Sequence, residues 1–396
     1  MIGTYNYVLY SGDVAFIREN WKGYVKGMRY LFSLVDRVTN LIKVPDDAAN
    51  DWGQPNVNGF HTSAQVLFFH TLITGAKLAD WIGDTPDRKA TWLKTAKVVK
   101  VTMNELHWDR GTGAFWNSLH HFAGTAGIHP QDGNSLAVFL GVVKPSSTRA
   151  QAISSYLTRN WTPIGAASPE LPGEISPFIS SVEIQAHLVA GHPQRALDLI
   201  RSSWGWYLNN ENGTQSTAIE GYLLNGSFGY RWNYGYDGVF SYTSHAHGWA
   251  TGPVTALTEY ILGLSIVGLA GATWRLAPQF GDLRSCQGGF TTKLGKFSAS
   301  WTLKGDQGYT LEYNTPKGTG GDLLLPNGPR GTQVVIDDEE LKSKDIVEAS
   351  GNRQLFALRS SGGKHRIEVS WTSDDSQKAL YSFTELKGDN QICDWL

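Results

Sequence analysis

The spacing of apolar residues changes once along this 396-residue chain, close to Gly268, and that change limits the fold more than any motif does. Before it, apolar residues return at helical intervals. Phe16, Trp21, Tyr24, Val25, Met28, Leu31, Phe32 and Val35 form one series. Ala64, Val66, Leu67, Phe69, Leu72, Ile73, Ala76 and Leu78 form a second, and Trp92, Ala96, Val99 and Met103 a third. Further helices are expected over about 132–142, 147–158, 175–190, 193–203 and 248–266, the last of them buried. From Thr273 onward the pattern shortens to alternating runs between Gly, Asp and Asn turns, and strands are expected at 297–303, 309–313, 333–336 and 365–371. The reading is a mainly α domain over 1–267 followed by an antiparallel β-sandwich domain over 268–396.

Three junctions in the helical part look alike: Tyr10-Ser11-Gly12-Asp13, Trp81-Ile82-Gly83-Asp84 and Val189-Ala190-Gly191-His192-Pro193. Each closes an apolar helix with a glycine suited to a left-handed cap, before a polar residue or proline starts the next. Their intervals lie near multiples of about 36 residues, the length of a helical hairpin with its loops. Repeated hairpins of this kind build toroids or solenoids. Between them lie aromatic, glycine-rich loops, 50–58, 107–133 and 226–243, where binding residues usually sit.

Charge excludes several functions. The net charge is -2, and only 18% of residues are charged, so no basic field points to nucleic acid or to an anionic membrane. No apolar run is long and clean enough to span a bilayer. Phosphate-cradling glycine loops, dinucleotide fingerprints and a Gly-x-Ser-x-Gly elbow are also missing, so no cofactor is expected. The two cysteines, Cys286 and Cys393, leave open a disulfide or two thiols. Sequons at Asn160, Asn212 and Asn225 permit glycosylation on export, yet the stretch from Met1 to Tyr7 has no signal-peptide pattern.

The chemistry concentrates at two places. Ser244-His245-Ala246-His247-Gly248-Trp249 sets two imidazoles and an indole beside each other, and Ser216 to Tyr222 places Glu220 among small and aromatic residues. Aromatic rings with short polar groups hold sugars; a carboxylate shielded among them can act as general acid or base. His245 and His247 share a face only on extended chain, and without HExxH or paired cysteines no metal site is expected. Either they cap the helix that follows or at least one bonds a ligand hydroxyl. Asp51-Trp52 offers a carboxylate and an indole for a sugar's hydroxyls and apolar face, or else Asp51 closes an Asx-turn. Asp109, Asp132, Glu170, Glu174 and Asp237 are further carboxylates with no assigned role.

With these residues in view, the chain resembles the fungal α-L-rhamnosidases of glycoside hydrolase family 78. The resemblance is carried by Ser244 to Pro253, Thr273 to Leu283 and Gly289 to Gly295, with Asp51-Trp52 and Ser216 to Tyr222 as further points. It implies an (α/α)6 toroid, lacking its first helices here, followed by an antiparallel β-sandwich. It also implies an extracellular glycosidase that removes terminal α-L-rhamnose from glycosides or polysaccharides by an inverting two-carboxylate mechanism. By position Glu220 would be the general base. Asp51, Trp52 and His245 or His247 would hold the rhamnose ring, and Tyr222 and Trp249 would wall the pocket. The family's general acid lies in a segment ahead of the stretch that matches Met1, so the resemblance supplies a base without its acid. Two alternatives stand beside it: a carbohydrate-binding protein without catalysis, and another six-hairpin toroid enzyme. The aglycone, the linkage and the oligomeric state are left open.

Overall fold

The structure is a computed structural model that describes residues 1–54, 57–119, 127–231, 235–328, 332–341, 347–349 and 355–371. These residues group into two compact units. One comprises Met1–Tyr5, Ala15–Ala190 and Arg195–Pro253; the other comprises Asn6–Val14, Gly191–Gln194 and the described residues from Val254 onward.

The helices are α1 (Ile2–Ser11), α2 (Val14–Ser33), α3 (Thr62–Ile82), α4 (Pro86–Leu106), α5 (Gln131–Phe139), α6 (Thr148–Leu157), α7 (Pro177–Ala190) and α8 (Pro193–Ile200). Glycines 12, 83 and 191 all adopt positive φ, as the junctions predict. Gly83 caps α3 at φ 71°, donating its N–H to the Ala79 and Asp80 carbonyls, and Pro86 then opens α4. Within the first unit α3 packs on α4 and α5, and α5 packs on α6 and α7. Trp92, Ala96, Val99 and Met103 form the buried stripe of α4. Gly75 of α3 lets three helices close together: a Cβ there would stand 2.9 Å from Met28 Cε, 3.1 Å from the Trp92 ring and 3.1 Å from the Tyr24 hydroxyl. On α2 only Ile17, Tyr24 and Met28 are buried, whereas Phe16 of the expected series is 37% exposed.

Three two-stranded ribbons punctuate this unit: β1 (Trp108–Asp109) with β2 (Ala114–Phe115), β3 (Trp161–Thr162) with β4 (Gly165–Ala166), and β5 (Glu174–Ile175) with β6 (Tyr222–Leu223). The last pairs residues far apart in sequence, Glu174 with Leu223 and Ile175 with Tyr222. It thereby brings the Glu220 segment to the start of α7. After α8 the chain runs through a π-turn, Arg201–Gly205, into a short helix α9 (Trp206–Leu208).

The helix expected over 248–266 is not one helix. A 3-10 turn (Gly248–Ala250) leads into α10 (Gly252–Ala256) and a π-turn (Leu257–Ile261), and the chain then becomes strand β7 (Leu264–Ile266). Gly263 makes the break. It sits at φ 87°, and a Cβ there would fall 2.4 Å from both the Ala277 carbonyl carbon and the Pro278 nitrogen. The strand that follows pairs antiparallel with β8 (Thr273–Leu276).

The second unit holds two sheets. β9 (Ser285–Thr292), β10 (Gly295–Leu303), β11 (Gly308–Asn314), β12 (Gly320–Pro326), β13 (Gln333–Ile336), β14 (Glu339–Glu340), β15 (Val347–Ala349), β16 (Leu355–Ser361) and β17 (Lys364–Ser370) complete the strands. Their orders are β14-β13-β17-β11-β10-β9 and β15-β16-β12-β8-β7. The pairing departs from an all-antiparallel arrangement at one place: β8 and β12 run parallel, with Trp274 opposite Gly321. A side chain at position 321 would strike the Trp274 ring at 2.3 Å, so glycine is required there. Rings link the two sheets: Trp274 lies 5.1 Å from Tyr313, and the Tyr309 hydroxyl donates to the Pro326 carbonyl at 2.9 Å. Cys286 is a half-buried free thiol, and Cys393 lies outside the described residues. No described helix is long and apolar enough to cross a membrane.

Candidate functional site

Glu220 lies two residues before the start of β6, and the β5–β6 ribbon sets its place. Its side chain is 3% exposed. The segment clasps Ser244 twice: Glu220 N–H donates to the Ser244 carbonyl at 2.8 Å, and Ser244 N–H donates to Glu220 Oε2 at 3.0 Å. The Tyr236 hydroxyl donates to Oε1 at 2.6 Å, and His247 Nδ1 stands 3.8 Å from Oε2. Gly221 follows because nothing larger fits; a Cβ there would be 2.2 Å from the Tyr230 ring. Burial and the facing carboxylate push the Tyr236 phenol up to about 12, so it stays a donor at neutral pH.

A row of rings leads away from this carboxylate. His247 packs on Trp249 with centroids 4.4 Å apart, and Trp249 stacks on Phe178 of α7 at 5.0 Å with 14° between planes. Phe178 meets Trp52 edge-on at 6.2 Å. The Trp249 indole N–H is anchored on the Glu220 carbonyl at 3.1 Å. Gly252 keeps the backbone after Trp249 tight on α7, because a Cβ there would stand 2.1 Å from that of Ser181.

At the far end of the row lies a buried carboxyl cluster. Trp52 Nε1 donates to Asp132 Oδ2 at 3.1 Å, and the Gln54 amide reaches both Asp132 Oδ2 (3.3 Å) and Asp51 Oδ2 (3.2 Å). Asp132, 1% exposed, occupies the first turn of α5. Glu170 caps that turn: its two oxygens accept the N–H groups of Gln131 and Asp132, each at 2.8 Å. Complete burial pushes the Asp132 carboxyl up to about 6, against hydrogen bonds from Trp52 and Gly133. Burial, and then the neighbouring Asp132 charge, also raise Asp51 and Glu170. Burial depresses the His61 imidazole to about 4 despite the nearby Asp51 charge, so the ring is neutral at pH 7.

The sequence-predicted residues separate accordingly. The structure joins Asp51, Trp52, His247, Trp249 and Glu220 through this row of rings and hydrogen bonds. Asp51 is an Asx-turn residue, its Oδ1 accepting the N–H groups of Gly53 (3.0 Å) and Gln54 (2.7 Å), while Oδ2 accepts from the Gln54 side-chain amide at 3.2 Å. His245 turns elsewhere: its Nδ1 pairs with the Tyr207 hydroxyl at 2.8 Å and its ring meets Phe228 edge-on at 5.1 Å. Tyr222 stands in the core rather than on a pocket wall. It is 0% exposed, clusters with Ile175, Tyr207 and Ile219, and spends its hydroxyl on the Ile164 carbonyl at 2.6 Å. Tyr236, Phe178 and Gln54 carry no sequence signal that distinguishes them from other loop or core residues. Of the unassigned carboxylates, Asp132 and Glu170 belong to the cluster, whereas Asp109 pairs with His129 at 3.0 Å and Glu174 accepts the Arg231 N–H at 2.7 Å. Among the described residues no three His, Cys, Asp or Glu side chains gather closely enough to hold a metal ion.

The family described as the bacterial alpha-L-rhamnosidase C-terminal domain matches residues 271–338. No curated protein matches the sequence. Solved structures with a similar fold include the alpha-L-rhamnosidase of Dictyoglumus thermophilum, at 18% identity and a TM-score of 0.66 over 92% of this chain and 38% of that one. The Streptomyces avermitilis alpha-L-rhamnosidase, solved with L-rhamnose, is similar at 18% identity and a TM-score of 0.64, over 92% of this chain and 32% of that one. The Aspergillus terreus alpha-L-rhamnosidase gives 16% identity and a TM-score of 0.61 over 91% and 37%. The chain thus has a helical part and a β-rich C-terminal part as in alpha-L-rhamnosidase structures, and spans less than two-fifths of the length of these three.

Proposed function

We propose that this chain is a glycoside hydrolase of the α-L-rhamnosidase kind, acting on terminal α-L-rhamnose of glycosides or polysaccharides, with Glu220 as general base. The observation that carries the reading is the row Trp52–Phe178–Trp249–His247 ending on a buried, doubly held carboxylate. Rings of this kind offer apolar faces to a sugar, and the carboxyl, amide and imidazole groups at the two ends offer partners for its hydroxyls. A carboxylate has about four lone-pair directions. Tyr236 and Ser244 occupy two, which leaves others to take a proton from water. In an inverting hydrolysis that water attacks the anomeric carbon while a second carboxyl group, about 6.5–9.5 Å away, protonates the leaving oxygen. Asp51, Trp52 and His247 would hold the ring and Trp249 would form its wall; the toroid-plus-sandwich architecture belongs to the same reading, as does an extracellular place of action.

Sugar binding without turnover is the competing reading. It is favoured by the hydrogen bonds that already engage both Glu220 oxygens. One experiment separates the two: release of L-rhamnose from an aryl α-L-rhamnoside, with calorimetric L-rhamnose binding measured alongside. Hydrolysis that falls at least about a thousandfold in Glu220→Gln while binding persists supports the hydrolase. Binding in both proteins with turnover in neither supports the binding module.

A further inference from the structure

The turn that carries Tyr236 is unusual in its backbone. Gly235 and Asp237, on either side, both have positive φ, 96° and 46°. For an aspartate that conformation costs on the order of 1 kcal/mol, and strain of this kind persists where surrounding structure fixes it. The turn is closed by Val239 N–H donating to the Tyr236 carbonyl at 2.8 Å. Its result is to present the Tyr236 ring between the Arg231 guanidinium, 5.7 Å from the ring centroid, and the Tyr242 ring, edge-on at 6.0 Å. From there the hydroxyl reaches Glu220 Oε1 at 2.6 Å. The other oxygen is tethered by a main-chain N–H, so Tyr236 is the side-chain donor that, with Ser244 N–H, stops the carboxylate from rotating about its last bond.

We propose that Tyr236 is a positioning residue for the Glu220 carboxylate, fixing which lone pairs face the reacting centre. The proposal rests on the reading of Glu220 as the base. A general base contributes only when aimed at the proton it takes, and a misplacement of about 1 Å can cost a hundredfold in rate. The phenol does not transfer the proton itself and need not touch substrate.

Tyr236→Phe tests this, because it keeps the ring, its contact with Tyr242 and the guanidinium, and removes only the hydroxyl. On an aryl α-L-rhamnoside, kcat should fall about ten- to a hundredfold, with KM within about twofold of wild type and an unchanged melting temperature. Wild-type kcat overturns the proposal, and so does a loss that appears in KM or in thermal stability instead. A second measurement needs no turnover. With 13Cζ-labelled tyrosine, the Tyr236 signal is assigned by its loss in Tyr236→Phe. In wild type it should follow the ionisation of one carboxylate, and in Glu220→Gln that step should vanish. A step that survives in Glu220→Gln, or is missing from wild type, overturns the proposal. Hydrolysis that is unchanged in Glu220→Gln would instead overturn the assignment of the base, leaving the tyrosine–carboxylate bond to be judged by the spectra.

Discussion

Among the described residues Asp132 is held by hydrogen bonds and not by a salt bridge. It is buried in the first turn of α5, where the Trp52 indole, the Gln54 amide, the Gly133 N–H and the Ser63 hydroxyl donate hydrogen bonds to it. Burial raises its folded pKa from 3.8 to about 6, so between those values the folded chain binds more protons than the unfolded one. Stability therefore declines as pH rises through that window and is lowest above it. Asp132→Asn should flatten the decline, by on the order of 1–3 kcal/mol between the two ends, in urea midpoints measured against pH. Asp51 and Glu170 are raised in the same direction, so some slope should remain. A slope identical to wild type would contradict the assignment of a raised carboxyl to Asp132. Neither the burial of Asp132 nor the contact of Tyr236 with Glu220 was legible, for a reason visible in their partners. Trp52 lies 80 residues from Asp132, and Glu220 lies 16 from Tyr236 across a loop without a local pattern. The burial of Glu220 was legible because its own neighbours, small and aromatic, already describe a shielded carboxylate. Tyr222 departs from its expected place on a pocket wall for the converse reason. Its neighbours in sequence match those of a pocket, while its contacts in space, Ile175, Tyr207 and Ile219, are those of a core; His245, half-buried, turns to Tyr207 and Phe228.

At the scale of elements, the helices α3 and α4 and the strands β10, β11 and β17 stand close to where the apolar period puts them. Long amphipathic stripes and alternating strands leave a repeated signal, and the caps at Gly83 and Pro86 sharpen the boundary between α3 and α4. The segment 248–266 misled because a short apolar run reads equally as a buried helix or a buried strand. Gly263 decides between them, through a contact with Ala277 and Pro278 that no local pattern shows. Gly263→Ala should therefore cost more than a helix-interior exchange, about 2–4 kcal/mol, since it adds both a disfavoured φ and a backbone clash. Thermal unfolding monitored by circular dichroism would check this, and a change under about 0.5 kcal/mol would show that the bend does not depend on glycine. The parallel pairing of β8 with β12 was equally hidden, because strand direction leaves no trace in an alternating pattern.

For the whole molecule, the helical part followed by a β-rich part was legible from the single change of period, whereas the assembly of the site was not. It draws Asp51, Asp132, Phe178, Glu220, Tyr236 and Trp249 from six separate loops, turns and helix starts, with the β5–β6 ribbon and the Glu170 cap holding two of them. The proposed hydrolysis requires this arrangement to aim Glu220 at a water beside a rhamnosyl group. The most direct test is proton NMR of the full chain acting on an aryl α-L-rhamnoside, observing which anomer of rhamnose appears first. Release of the β anomer ahead of mutarotation, lost in Glu220→Gln, is the predicted result. Release of the α anomer, undiminished release by Glu220→Gln, or no release at all would contradict it.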